Sequence, residues 1–170
     1  MDLILTNIGV LATPLGKQAQ KGPAQQNIFL QEEMAVGMEG ETIAWVGPAR
    51  KAPKAKEVLD CRGGLVTPGL VDAHTHLTFG GWRHHEMAQK LAGMDYLDIL
   101  RAGGGILSTV AATRAASLEE LVEKGAQLLE EMLSFGTTTC EVKSGYGLST
   151  QEELKQLQVT RSLGAIQPIE

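Results

Sequence analysis

Val66-Thr67-Pro68-Gly69-Leu70-Val71-Asp72-Ala73-His74-Thr75-His76-Leu77 decides how this chain folds, with Arg83 a few residues beyond it. The stretch reads as a buried strand at 66–77, entered through Pro68-Gly69 and left through a glycine-rich loop. Residues two apart in a strand point to the same side, about 6.6 Å apart at a rise of about 3.3 Å per residue. His74 and His76 therefore project together, close enough for two imidazoles to share one metal ion at about 2.0–2.1 Å each. Asp72 falls on the same face, one step earlier. A His-x-His pair alone is more often a solvated strand end than a metal site. The apolar strand, the Pro-Gly entry and the glycine-rich exit around it shift the balance toward metal.

Bulk properties narrow the class. The chain has 170 residues, 43% hydrophobic, with a formal net charge of −5, which fits a soluble globular protein and argues against disorder. The acidic balance gives no support for nucleic-acid binding, which favours a basic patch. Cys61 and Cys140 are too few for a disulfide framework and lack zinc-site spacing, so they read as small buried or half-buried thiols in a reducing cytoplasm. The opening Met1-Asp2-Leu3-Ile4-Leu5-Thr6-Asn7 carries an acid where a signal peptide wants bases, and no run reaches the ~18 apolar residues of a membrane span.

Working upstream, residues 1–64 read as short strands, with no chemistry visible in them. Leu3-Ile4-Leu5 and Ile8-Gly9-Val10-Leu11 are apolar runs, and 12–27, rich in Gln, Gly, Pro and Lys, reads as an exposed loop. Met34–Met38 and Thr42–Gly47 flank Glu39-Gly40-Glu41 as a hairpin, and Val58–Cys61 is a further strand.

Downstream, His85-Glu86-Met87-Ala88-Gln89 lacks the second histidine of a zinc-protease helix, so that motif is rejected, and His84 and His85 read as solvated. Residues 94–101 suggest a short helix. Gly103-Gly104-Gly105 lacks the spacing of a phosphate loop and reads as a flexible loop near the active face. Ile106–Ala116 has mixed, helix-compatible character. Ser117 and Glu120 make a capping box before the stripe Leu118, Leu121, Val122, Leu128, Leu129 and Met132, and Gly136 supplies the stop. Residues 137–143 form a β-branched strand, 144–147 a loop. Thr150 and Glu153 make a second capping box, opening a helix that carries Leu154, Leu157 and Leu163 to Gly164. Glu141 and Lys143 alternate onto one strand face and suggest a structural ion pair. Strands and helices in alternation imply a parallel sheet.

Asp72-Ala73-His74-Thr75-His76-Leu77 resembles the first barrel strand of the metal-dependent amidohydrolase superfamily. Adding Phe79 through Arg83, Arg101–Val110, Thr113–Ser117 and Glu141–Leu148 narrows the resemblance to the imidazolonepropionase family, nearly continuously from 64 to 164 and weakly over the β-rich segment. The resemblance implies an α/β fold: residues 1–64 as the N-terminal part of a small β-sandwich domain, and residues 65–170 as the first two or three β/α units of an incomplete (β/α)8 TIM-like barrel. Such barrels take ~250 residues, so 170 residues read as the N-terminal part of a longer enzyme, cut inside a coming strand. It further implies hydrolytic ring opening of 4-imidazolone-5-propanoate to N-formimidoyl-L-glutamate in histidine degradation. His74 and His76 would ligate one divalent metal ion, Zn or Fe. Arg83 would clamp the substrate carboxylate, and Tyr146 would hydrogen-bond the substrate. The general acid and base are expected beyond residue 170. The expected partner is this small molecule, with no nucleic acid, no membrane, and a homodimer as among relatives. Two other readings remain: another cyclic-amide hydrolase or deaminase of the superfamily, and a non-catalytic fragment inactive in isolation.

Overall fold

The structure is a computed structural model that describes every residue except Leu15 and Lys17. The chain divides into two compact units, Met1–Pro68 and Gly69–Glu170.

The first unit is almost entirely β. Its strands are β1 (Leu3–Thr6), β2 (Val10–Pro14), β3 (Ile28–Gln31), β4 (Met34–Glu39), β5 (Thr42–Pro48), β6 (Glu57–Asp60) and β7 (Leu65–Val66). One sheet runs β5-β4-β1-β6 and a second runs β3-β2-β7. The expected hairpin is β4–β5, turning at Gly40 with φ +55°, a conformation that glycine adopts without a Cβ penalty. Ile8 is buried but lies outside β2, because Asn7 takes φ +51° and breaks the run. Ile8, Leu11, Met34 and Val36 form this unit's core.

The expected loop at 12–27 is shorter than the composition suggests. β2 continues through Pro14, and Gly22–Gln26 forms a 3-10 turn with proline in its first turn. The expectation at Leu15 and Lys17 lies outside the described residues. β3 has no counterpart among the strands read from the sequence. Its Ile28-Phe29-Leu30 run pairs antiparallel with β2, and the three side chains are 59%, 42% and 64% exposed.

The second unit alternates. It contains β8 (Leu70–Thr75), α1 (Glu86–Leu91), α2 (Tyr96–Arg101), α3 (Ile106–Ala115), α4 (Leu118–Ser134), β9 (Thr137–Val142) and α5 (Thr150–Ile166). β8 and β9 pair in parallel, with Leu70 opposite Thr137 and Thr75 opposite Val142. Glu170 pairs with the same strand: its amide donates to Thr138 O at 3.0 Å, and Cys140 N donates to Glu170 O at 2.8 Å. The core gathers Leu77, Leu121, Leu129, Val159, Leu163 and Ile169, with Leu118, Val122, Leu128 and Met132 of the α4 stripe packed against it. Each such buried side chain contributes about 1.5–3 kcal/mol. Helices α4 and α5 approach at Gly125, where a Cβ would stand 2.6 Å from Leu163 Cδ1.

Three expectations are corrected here. The run 66–77 is two strands, because Thr67-Pro68-Gly69 interrupts pairing and puts β7 and β8 in different units. The strand is not buried either: Leu70 and Val71 are 52% and 67% exposed, since β9 is the one strand beside β8 among the described residues. The second cap is Ser149, whose side chain accepts from Glu152 N, and Thr150 is already helical. The first cap forms as read: Ser117 accepts from Glu120 N at 3.1 Å, and Glu120 accepts from Ser117 N at 2.8 Å. On α5 the buried face is Gln156, Val159 and Leu163, while Leu154 and Leu157 face outward.

Candidate active site

The site forms where β8 and β9 end. His74 is the fifth residue of β8, and His76 lies just past its last residue, Thr75. The two rings meet edge to face with centroids 5.4 Å apart, so they lean together as the strand alternation requires. His74 is exposed and His76 half-buried. Asp72 does not join them as a third donor, because its carboxylate turns back to accept His74 N at 3.2 Å. His76 Nδ1 is buried without a hydrogen-bond partner. An orphaned polar atom of this kind costs about 1–3 kcal/mol unless something outside the chain engages it.

The loop after β8 carries Phe79, Trp82 and Arg83. It is pinned from α3, where Thr113 Oγ1 accepts Gly80 N at 2.9 Å and donates to Thr109 O at 2.7 Å. Helix and loop touch so closely that a Cβ on Gly80 would stand 2.5 Å from Ala112 O. From α4, Lys124 Nζ donates to Gly81 O at 2.6 Å and lies 3.5 Å from the Phe79 ring centroid and 3.9 Å from that of Trp82. Burial pushes the Lys124 ammonium down to about 8, while the ring faces favour its charged form. Arg83 Nη1 stands 3.8 Å from Glu86 Oε2. Glu86 is 3% exposed, and its Oε1 accepts Gly105 N at 2.6 Å. The triple glycine is therefore held by a carboxylate rather than left as the flexible loop expected; Gly104 N also donates to Ile99 O at 2.9 Å.

The loop after β9 carries Tyr146. Glu153 Oε1 accepts Gly147 N at 2.8 Å and Leu148 N at 2.7 Å, and Arg114 Nε donates to Gly147 O at 2.6 Å. Gln156 is fully buried beneath. With its amide oriented to satisfy both ends, it donates to Thr78 O at 3.1 Å and accepts Gly147 N at 2.8 Å, linking the two loops. Burial pushes the Glu153 carboxyl up, but hydrogen bonds from Ser144 and the backbone amides outweigh it, so the group sits below the usual carboxylate range. Gly145, at φ +141°, would place a Cβ 3.2 Å from His76 Cε1.

These loops enclose a cavity of about 270 Å³ lined by His76, Phe79, Trp82, Arg83, Thr109 and Tyr146. The Tyr146 ring lies 5.1 Å from His76 and 6.3 Å from Phe79. The structure thus brings His76, Arg83 and Tyr146 to one space, with His74 against His76. Glu141 and Lys143 form the expected pair, Oε1 to Nζ at 2.7 Å, but both side chains are exposed, whereas the resemblance implies a place inside a barrel. The Lys143 hydrogen bond holds the Glu141 carboxyl below its usual range, with a smaller pull from His74. His84 and His85 are exposed, as read. Among the described residues, no group of three His, Cys, Asp or Glu side chains could hold a metal. Two imidazoles, one with an unclaimed nitrogen, fit a metal as part of a ligand set rather than a whole one.

An imidazolonepropionase from Bacillus velezensis is 51% identical to this chain over 172 aligned positions that take in all of it. The chain is similar from end to end to imidazolonepropionases. One from Bacillus thuringiensis gives the same identity over 173 positions. The chain spans about two-fifths of the length of these curated relatives, 41% in each case. The likeness to imidazolonepropionases includes the β-rich unit, where the motifs alone gave little. No family model matches. Among solved structures, guanine deaminase of Escherichia coli superposes with a TM-score of 0.59 at 17% identity, covering 95% of this chain and 34% of that one. A zinc-complexed atrazine chlorohydrolase from Arthrobacter aurescens gives 0.54 at 18%, covering 95% and 34%. At such identities the likeness concerns the fold: this is a mixed α/β chain built like part of those hydrolases. No helix among the described residues is long and apolar enough to cross a membrane.

Beside the four residues expected from the imidazolonepropionase motifs, the structure adds Phe79, Trp82 and Thr109 to the cavity wall, and Lys124, Glu86, Glu153 and Gln156 beneath the loops. Phe79 and Trp82 were within reach of the sequence, since aromatics in a glycine-rich strand exit commonly line a site. The four supporting residues sit on helices among many similar polar residues; the one local signal, Thr150-x-x-Glu153, reads as a helix cap rather than a loop support.

Proposed function

We propose that this chain is the N-terminal segment of an imidazolonepropionase, which adds water across a ring C–N bond of 4-imidazolone-5-propanoate to give N-formimidoyl-L-glutamate. The observation that carries the reading is the cavity that His76, Arg83 and Tyr146 line together, in a chain 51% identical to such enzymes. Arg83 binds the propanoate carboxylate: its planar guanidinium offers paired, charge-assisted hydrogen bonds, and Glu86 engages Nη1 from below. Tyr146 hydrogen-bonds the ring from the opposite loop. Phe79 and Trp82 give the ring an apolar wall on one side. His74 and His76 would hold one Zn or Fe ion together with ligands from outside this chain. Such an ion, when bound, supplies hydroxide at neutral pH. In this reading the proton-transfer groups, like the remaining metal ligands, come from outside this chain.

In this reading the first unit, with a boundary near residue 64, is part of a small β-sandwich domain, and the second is the opening β/α units of a (β/α)8 barrel whose active face is the strand C-termini. A cytoplasmic homodimer completes it, and the unpaired Cys61 and Cys140 suit a reducing compartment. The test is an assay of the purified full-length protein against 4-imidazolone-5-propanoate, hydantoin, dihydroorotate and guanine. Preferred turnover of the first is expected, and preferred turnover of any other overturns the reading. The 170-residue chain alone should lose metal on dialysis and turn over nothing. Stoichiometric retained metal with turnover would refute the claim that its ligand set is partial.

A further inference from the structure

We propose that Lys124 of α4 is a positioning residue that clamps the Phe79–Arg83 loop, so that Arg83 is presented to the cavity at a fixed place. The inference rests on the proposed carboxylate-binding role of Arg83. Lys124 does not line the cavity and acts through residues that do.

One ammonium makes three contacts across four consecutive residues. It donates to Gly81 O at 2.6 Å and lies over the Phe79 ring at 3.5 Å and the Trp82 ring at 3.9 Å. The two rings meet edge to face at 5.1 Å and 88°, so a cation between them fixes both planes at once. Gly81 takes φ +67°, and a Cβ there would stand 2.8 Å from Ala112 Cβ, so this corner has no side chain of its own with which to brace. Thr113 pins the loop at Gly80, on the side away from Arg83. On the far side, Glu86 N donates to Arg83 O at 3.0 Å and Glu86 Oε2 stands 3.8 Å from Arg83 Nη1; between these two anchors, Lys124 is what holds the Gly81–Trp82 segment. A fixed guanidinium loses less rotational freedom on meeting a carboxylate, so the clamp acts on substrate affinity and not on the chemical step.

In the full-length protein, Lys124→Met keeps a long apolar stem and removes the cation and donor. It should raise KM for 4-imidazolone-5-propanoate about ten-fold, with kcat within about two-fold. Lys124→Arg retains charge, donor and ring contact and should restore most of the KM. Hydrogen exchange read on Lys124→Met, independent of activity, should quicken at residues 80–83 while α4 stays protected. Unchanged KM and unchanged exchange in Lys124→Met would overturn the clamp, as would a joint loss of kcat and stability that Lys124→Arg does not rescue. Arg83→Gln separates the two claims. If it raises KM while Lys124→Met is silent, the clamp fails and the role of Arg83 stands. If Arg83→Gln is silent, the role of Arg83 fails, and the proposal with it.

Discussion

The two loops that frame the cavity are held by opposite means. The β9 loop, carrying Tyr146, hangs from a carboxylate: Glu153 takes two successive backbone amides, with Gln156 beneath and Arg114 beside it. The β8 loop, carrying Arg83, is pinned at Gly80 by Thr113 and beyond it rests on a cation, since Lys124 takes a carbonyl and two ring faces. Amides around an acid make a directional cradle that fixes backbone. A cation between rings fixes side-chain planes and tolerates small rotations. The proposed ring-binding tyrosine thus stands on the stiffer support and the proposed carboxylate clamp on the more forgiving one.

The contrast can be broken most forcefully where α3 meets the β8 loop. Gly80→Val adds a branched side chain against Ala112 O and should destabilise the full-length protein by about 3 kcal/mol or more, read by denaturant unfolding. Next comes the buried link between the loops. Gln156→Leu leaves Thr78 O and part of the Gly147 amide without a partner and should cost about 1–3 kcal/mol, with faster hydrogen exchange at residues 145–148.

Acid sharpens the comparison with a smaller effect. The folded Glu153 carboxyl lies below its unfolded value, so its stabilisation is fully present above pH 4.5 and is lost as pH falls through the depressed folded value. Glu153→Gln should lower the melting temperature at pH 7, and its gap to the parent protein should narrow as pH drops below 4.5. A gap constant with pH would deny the carboxylate its part in the cradle. The smallest change is expected at Lys143→Met. Its pair with Glu141 is exposed, so stability should shift by about 0–1 kcal/mol in thermal unfolding.

What was legible in the sequence follows the reach of each interaction. The α4 cap was readable because Ser117 and Glu120 are three residues apart and answer only to each other. The α5 cap was misplaced by one residue for an equally local reason: Ser149-Thr150-Gln151-Glu152-Glu153 offers Ser-x-x-Glu and Thr-x-x-Glu in adjacent registers. Ser149 wins because Glu153 is taken by the loop amides. The convergence of the His74 and His76 rings was legible through strand alternation, and the nearness of Arg83 and Tyr146 to His76 through motif resemblance; their roles belong to the proposed function. Leu70 and Val71 were misjudged because apolar character tells which side chains can be buried, not whether a neighbour covers them. Lys124, at a separation of 43 residues from Gly81, has no sequence mark, since its partners are a carbonyl and two rings that only the packing of α4 brings within reach.

Gly145 has a consequence for how this gene can drift. Its left-handed φ of +141° strains any residue with a Cβ, and a Cβ 3.2 Å from the His76 ring would make that ring shift; every amino acid one nucleotide away from a glycine codon has at least that Cβ. Position 145 therefore has only strained evolutionary neighbours, so a saturation library of the full-length protein, selected for the proposed activity, should return glycine codons in large excess there.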